Sequence, residues 1–110
     1  KYAEAERFAR LATQTAPGFY VAWDTLGTIL MDAGKDFDEA EVCIQKACDL
    51  SKDASGRQID VRMLVSLACV QIRRGETYRA KATLRSVAGR MQELSEYEKQ
   101  ELEGLKKSAR

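Results

Sequence analysis

Apolar residues recur along this chain mainly at intervals of three and four, and no segment sustains an alternation of apolar and polar positions. A period near 3.6 places apolar side chains on one face of a helix, whereas a half-buried strand needs a period of two. The pattern therefore predicts an all-α chain with no strands. Trp23, Leu26, Gly27 and Leu30 give the clearest helical stripe, at i, i+3, i+4 and i+7. Caps and breakers divide the chain into about six helices. The first runs from about Tyr2 to Thr15 and stops before Pro17-Gly18, because the residue preceding a proline is disfavoured in helical conformation. The second covers about Phe19 to Ala33, with Gly34 available to end it in a left-handed conformation. The third runs from about Asp36 to Ser51. Asp36 is placed as an N-cap, and Asp38, Glu39 and Glu41 suit the positive end of a helix. Lys52–Gly56 is the one linker. The fourth helix is predicted from about Arg57 to Arg74, ended by Gly75, and the fifth from about Thr77 to Gln92. The sixth runs from Ser95 to about Lys107, opened by the capping-box pair Ser95 and Glu98.

The stripes repeat. Tyr2-Ala3-Glu4-Ala5-Glu6 recurs as Phe37-Asp38-Glu39-Ala40-Glu41, and at the same offset Ala12 falls on Ala47. Ala80, Leu84 and Val87 repeat Ala40, Ile44 and Ala47, while Leu64, Leu67 and Ala68 repeat Trp23, Leu26 and Gly27. Helix pairs recurring at 35 and then 40 to 41 residues suggest a repeat architecture, in which each unit buries its apolar face against its neighbours.

The motif Trp23-x-x-Leu26-Gly27-x-x-Leu30, followed by Phe37, Ala40, Ile44 and Ala47, resembles the tetratricopeptide repeat. The family places an aromatic where this chain has Leu30. Its closing proline is matched by Pro17, with Lys52 and Gln92 at the later equivalents. The resemblance implies a right-handed α-solenoid of antiparallel helix pairs. The incomplete first repeat spans 1–17, the full repeat 19–52, the degenerate repeat 57–92 and a charged capping helix 95–108. Small residues at Gly27, Ala40 and Ala47 would let paired helices approach closely, with Trp23, Leu26 and Phe37 filling the space between them. The first helix has no partner before it. Two readings stay open: further repeats upstream, or packing of that uncovered face on another copy or partner.

In the family, the first helix of each pair lines a concave groove that takes a peptide or helix of a partner. Carried over by position, that face comprises Asp24, Thr28, Met31 and Asp32, then Arg62, Val65, Cys69, Ile72 and Arg73. Val65, Cys69 and Ile72 share one helical face. Either an apolar ligand segment, or else the sixth helix or the Lys52–Gly56 linker, would cover them. Some members of the family grip acidic C-terminal tails with Lys and Asn on this face. Asp24 and Thr28 stand there in this chain, so an acidic tail is not expected.

Composition narrows the chemistry. Apolar residues make up 45% of the chain, enough for a folded core. No apolar run is long enough for a membrane-spanning helix, and no signal peptide is visible. Histidine is absent, which removes the commonest general base and metal ligand. Cys43, Cys48 and Cys69 form no CxxC pair, fit a reducing, cytoplasmic compartment and read as small buried hydrophobes. No metal, cofactor or catalytic residue is expected, and the chain does not read as an enzyme. Charge is uneven. Arg62, Arg73, Arg74, Arg79, Lys81, Arg85 and Arg90 lie in a stretch containing Glu76 as its only acid. With Tyr78 the only interleaved aromatic, nucleic-acid binding by this stretch is the least favoured reading, behind a solvated face and an acidic protein partner. The expected function is a protein–protein interaction scaffold. The alternative is self-association through the open first helix.

Overall fold

In a computed structural model, which describes residues 1–53 and 55–109, the chain is all-helical, with no strand among the described residues. Ala54, in the predicted linker, lies outside them. The helices are α1 (Tyr2–Thr15), α2 (Tyr20–Asp32), α3 (Phe37–Leu50), α4 (Val61–Arg73), α5 (Thr77–Ala88) and α6 (Glu96–Ser108), with a single 3₁₀ turn at Met91–Glu93. None is long and apolar enough to cross a membrane.

The closest pairing is α2 on α3, and Gly27 is its cause. A Cβ built there would stand 2.6 Å from Ile44 Cγ1 and 3.0 Å from the Ala40 carbonyl oxygen. Only the absence of a side chain lets the two backbones come this near. Ala40, Ile44 and Ala47 are fully buried beneath α2. At the other end of the hairpin the Trp23 indole donates to the Pro17 carbonyl at 2.9 Å, fixing the α1–α2 turn.

The turns after α2 and α4 share one hydrogen-bond pattern. Gly34 donates to Met31 O and Lys35 to Leu30 O. Gly75 donates to Ile72 O and Glu76 to Gln71 O. Both glycines have positive φ, 66° and 76°. This is the Schellman arrangement, in which a left-handed residue satisfies the last helical carbonyls and stops the helix. The Asp36 side chain accepts from Glu39 N at 2.9 Å to open α3, and Ser95 with Glu98 forms a full capping box on α6.

Two boundaries differ from the sequence expectation. The fourth helix begins at Val61, not Arg57. Asp53 Oδ1 accepts from the backbone N–H groups of Ser55, Arg57 and Gln58 and from the Ser55 hydroxyl, and the Gln58 carbonyl accepts from Asp53 N at 2.9 Å, so the carbonyl that a helix begun at Arg57 would offer to Arg62 is already engaged. Asp60 then caps α4 through Arg62 N. The fifth helix ends at Ala88, not Gln92; Met91–Glu93 form the 3₁₀ turn instead, which carries the chain to the buried Leu94.

Two apolar clusters share α4. Met63, Leu67 and Val70 join the cluster built on Leu26, Leu30 and Ile44, while Val61 and Ala68 join Leu84, Val87, Leu94 and Leu102. At the start of the chain α1 is covered on one side only. Phe8 is 58% exposed and Leu11 56%. Arg10 fixes its covered side, forking onto Glu39 with two 2.8 Å hydrogen bonds and reaching Glu6 at 3.0 Å. The guanidinium holds both carboxyls below their ordinary pKa.

Candidate functional site

An open groove of about 740 Å³ runs between α2, α4 and α6. Its construction follows from a few long-range contacts. Tyr20, at the start of α2, donates its hydroxyl to Asp60 Oδ2 at 2.8 Å beside the start of α4. At the far ends, Arg73 of α4 reaches the Met31 carbonyl of α2 in a long contact of 3.5 Å. Helices α2 and α4 therefore run side by side in the same direction. Arg62 ties α4 to α6, its Nε donating to Glu98 Oε2 at 2.8 Å and its Nη2 to the Glu93 carbonyl at 3.2 Å. Helix α4 packs against both neighbours and forms the floor.

One wall of the groove carries Val21, Asp24, Thr28, Met31 and Asp32 from α2. The floor carries Met63, Val65, Ser66 and Cys69, with Arg62 and Arg73 at its two ends. Leu94, Glu98, Glu101, Gly104 and Leu105 complete the opposite wall. The groove thus contains Asp24, Thr28, Met31, Asp32, Arg62, Val65, Cys69 and Arg73 of the positions carried over from the repeat pattern. Ile72 is not among the lining residues. It packs against the Val61–Leu102 cluster instead. Helix α4 is covered on two sides, and Ile72 falls on the side that meets the second cluster. Helix α6 thus flanks the Val65–Cys69 strip without closing it. The acidic side of the groove was not anticipated: Asp60, Glu98 and Glu101 join Asp24 and Asp32. Glu98 and Glu101 are legible as acids at helical spacing, but only tertiary packing brings them opposite α2.

The carboxylates differ in circumstance. Asp60 accepts from Tyr20 and Arg62, and Glu98 from Arg62 and the Ser95 backbone. Those contacts hold Glu98 below its ordinary pKa, the Ser95 backbone hydrogen bond contributing most. Asp24 Oδ1 is buried with no hydrogen-bond partner among the described residues. Burial pushes its pKa up, the Ser66 hydroxyl opposes the shift, and Asp60 adds to it. Asp24, Asp32 and Glu101 make no ion pair among the described residues.

Among the described residues, four of the seven cations of the basic stretch are paired within the fold. Arg62 meets Glu98, and Arg90 meets Glu93 at 2.7 Å. Arg74 meets Asp38 at 2.7 Å and Glu41 at 3.3 Å, and Arg79 meets both Glu41 and Glu76 at 3.0 Å. The last cluster borders a second concavity of about 620 Å³ beside α3. Burial, followed by the hydrogen bond and like charge of Glu76, raises the pKa of Glu41 against the pull of the two guanidiniums.

The thiols do not converge. Cys43 and Cys48 are buried in the main cluster and Cys69 lies half-buried in the groove. Burial pushes Cys43 up to about 11 and Cys48 up to about 12, so both are protonated at neutral pH. Among the described residues no three Cys, Asp or Glu side chains come together as a metal site would require. No protein-family model, no curated protein and no solved structure matches the chain.

Proposed function

We propose that this chain is an α-solenoid segment of the tetratricopeptide kind and that it holds a segment of a partner protein in the α2–α4–α6 groove. The observation that carries the reading is the groove itself: helices separated in sequence present Met31, Val65, Cys69 and Leu105 around one open concavity of about 740 Å³. The two identical glycine caps after α2 and α4 support a repeating antiparallel helix pair, since the same stop recurs in each. Apolar lining with a polar margin suits recognition of a peptide or helix. The role is binding, without catalysis.

Val65→Glu, which sets a charge on the floor, tests it. Partner recovery from a lysate is compared with wild type, with circular dichroism to establish that the variant is folded. Loss of recovery is expected for Val65→Glu and a weaker loss for Arg73→Ala. Equal recovery by a folded Val65→Glu protein rejects the groove.

The open face of α1 supports a second reading, self-association. Phe8 and Leu11 lie exposed on it at a spacing of three residues, and exposed apolar side chains on one helix face mark interaction surfaces. Light scattering of wild type against Phe8→Glu measures it. A monomer at high concentration, unchanged by Phe8→Glu, removes this reading.

A further inference from the structure

The groove's charge sets what can occupy it. Five carboxyl groups line it, on Asp24, Asp32, Asp60, Glu98 and Glu101, against the two guanidiniums of Arg62 and Arg73. Neither guanidinium is idle: Arg62 is held by Glu98, and Arg73 reaches the Met31 carbonyl. The carboxyls that make no ion pair among the described residues stand on both walls, Asp24 and Asp32 on α2 and Glu101 on α6, with Val65 and Cys69 on the floor between them. An acidic segment entering here would meet like charge from both sides. A neutral apolar segment would cover the floor while further desolvating three carboxyls that it could not satisfy, which costs free energy.

We infer that the groove selects a positively charged amphipathic segment of a protein, whose apolar side chains seat on Val65 and Cys69 and whose Lys or Arg side chains meet Asp24, Asp32 and Glu101. This rests on the groove being the binding surface and adds the sign of its partner. Charge complementarity of this kind governs specificity and association rate, and it weakens as salt shortens the screening length. Each pair contributes modestly by itself, so three acting together are expected to set a difference of about tenfold between a cationic and a neutral segment, ~1.4 kcal/mol.

The test uses three synthetic peptides sharing one leucine-rich core, flanked by Lys, by Gln or by Glu, and titrated against the whole chain by fluorescence anisotropy. Expected is tightest binding of the Lys-flanked peptide, about tenfold over the Gln-flanked one, with that advantage shrinking as salt rises. The Glu-flanked peptide should bind weakest. Asp24→Asn with Glu101→Gln should remove most of the preference for the Lys-flanked over the Gln-flanked peptide. Val65→Glu should impair all three. If the Gln- or Glu-flanked peptide binds as tightly as the Lys-flanked one and Val65→Glu abolishes it, the inference about charge is overturned and the groove stands. If none binds, or if binding ignores Val65→Glu in a folded protein, the groove reading falls and the inference with it.

Discussion

Gly27 of α2 faces Ile44 of α3 so closely that a Cβ on the glycine would lie 2.6 Å from Ile44 Cγ1. Real Cβ atoms essentially never come that near, and the backbone carbonyl of Ala40 closes the other direction at 3.0 Å. The pair sets the spacing of the central hairpin, and with it the position of Asp24 and Met31 on the groove wall.

Gly27→Ala is therefore expected to destabilise the chain, although alanine is the better helix former by ~1 kcal/mol. Overpacking typically costs ~1–3 kcal/mol, so the net loss is expected near ~1 kcal/mol, with Gly27→Val losing more. Urea denaturation reads the change. Adding Ile44→Val should recover part of it in a double-mutant cycle, since the two side chains compete for one volume. Equal stability of Gly27→Val and wild type would contradict the packing argument.

The turns at Gly34 and Gly75 have a different vulnerability. A Cβ at either meets no neighbour, but each φ is positive. Gly34→Ala and Gly75→Ala should each lose ~1–2 kcal/mol through backbone strain alone. The two turns are neighbours, since Arg73 reaches the Met31 carbonyl that also accepts from Gly34 N, so the double variant is expected to depart from simple additivity. Thermal or urea midpoints of the two single variants and the double variant measure this.

Opposed carboxyl shifts shape the response to acid. Glu39 and Glu98 are held below their ordinary pKa, so each contributes stability that is present above the unfolded value and lost as pH falls through the lowered one. Glu41 is raised by burial and by Glu76, so its contribution has the opposite sign: it is fully present below the ordinary value of 4.5 and lost as pH rises through the folded value. Urea midpoints followed from neutral pH into the acid range should decline less steeply in Glu39→Gln than in wild type. They should decline more steeply in Glu41→Gln, which removes the opposing rise. A decline in Glu39→Gln as steep as in wild type would show that the Arg10 fork is not formed in solution.

Thiol labelling separates the three cysteines. Cys43 and Cys48 are buried and held protonated, and Cys48 donates its thiol to the Met63 carbonyl at 3.5 Å, so both should react only when the chain opens globally. Cys69, half-buried on the groove floor, should react first with a maleimide or an aromatic disulfide. A bound groove peptide should slow Cys69 and leave the others unchanged. Labelling of Cys48 ahead of Cys69 would refute this placement.

Much of the architecture was legible because local signals agreed with tertiary packing. The Trp23–Leu30 stripe, the Asp36 cap, the Ser95–Glu98 box and the glycines at 34 and 75 each act within a few residues of themselves. Failures occurred where distant groups decided the outcome. The α4 boundary moved because Asp53 N takes the Gln58 carbonyl that a helix would have used, and Arg62 N turns to the Asp60 side chain. Ile72 shares a helical face with Val65 and Cys69, but a helix covered on two sides does not reveal in its sequence which apolar residue meets which cluster. The basic stretch was unmistakable as composition, but its pairing was not. Its neutralising partners for Arg62 and Arg74 lie far outside any local window, at Glu98 on one side and at Asp38 and Glu41 on the other.

Helix α6 forms the outer wall of the groove, yet its principal packing partner is α4, through the buried Leu102 and the Arg62–Glu98 pair. A wall attached along one side opens at lower free energy than the α2–α3 hairpin, so its amides should exchange with solvent sooner. Any occupant that touches Glu101 or Leu105 binds the docked form of α6 better than the undocked form. Mass action then couples occupancy to docking: filling the groove tightens its own wall, and loosening that wall weakens the grip on whatever it holds.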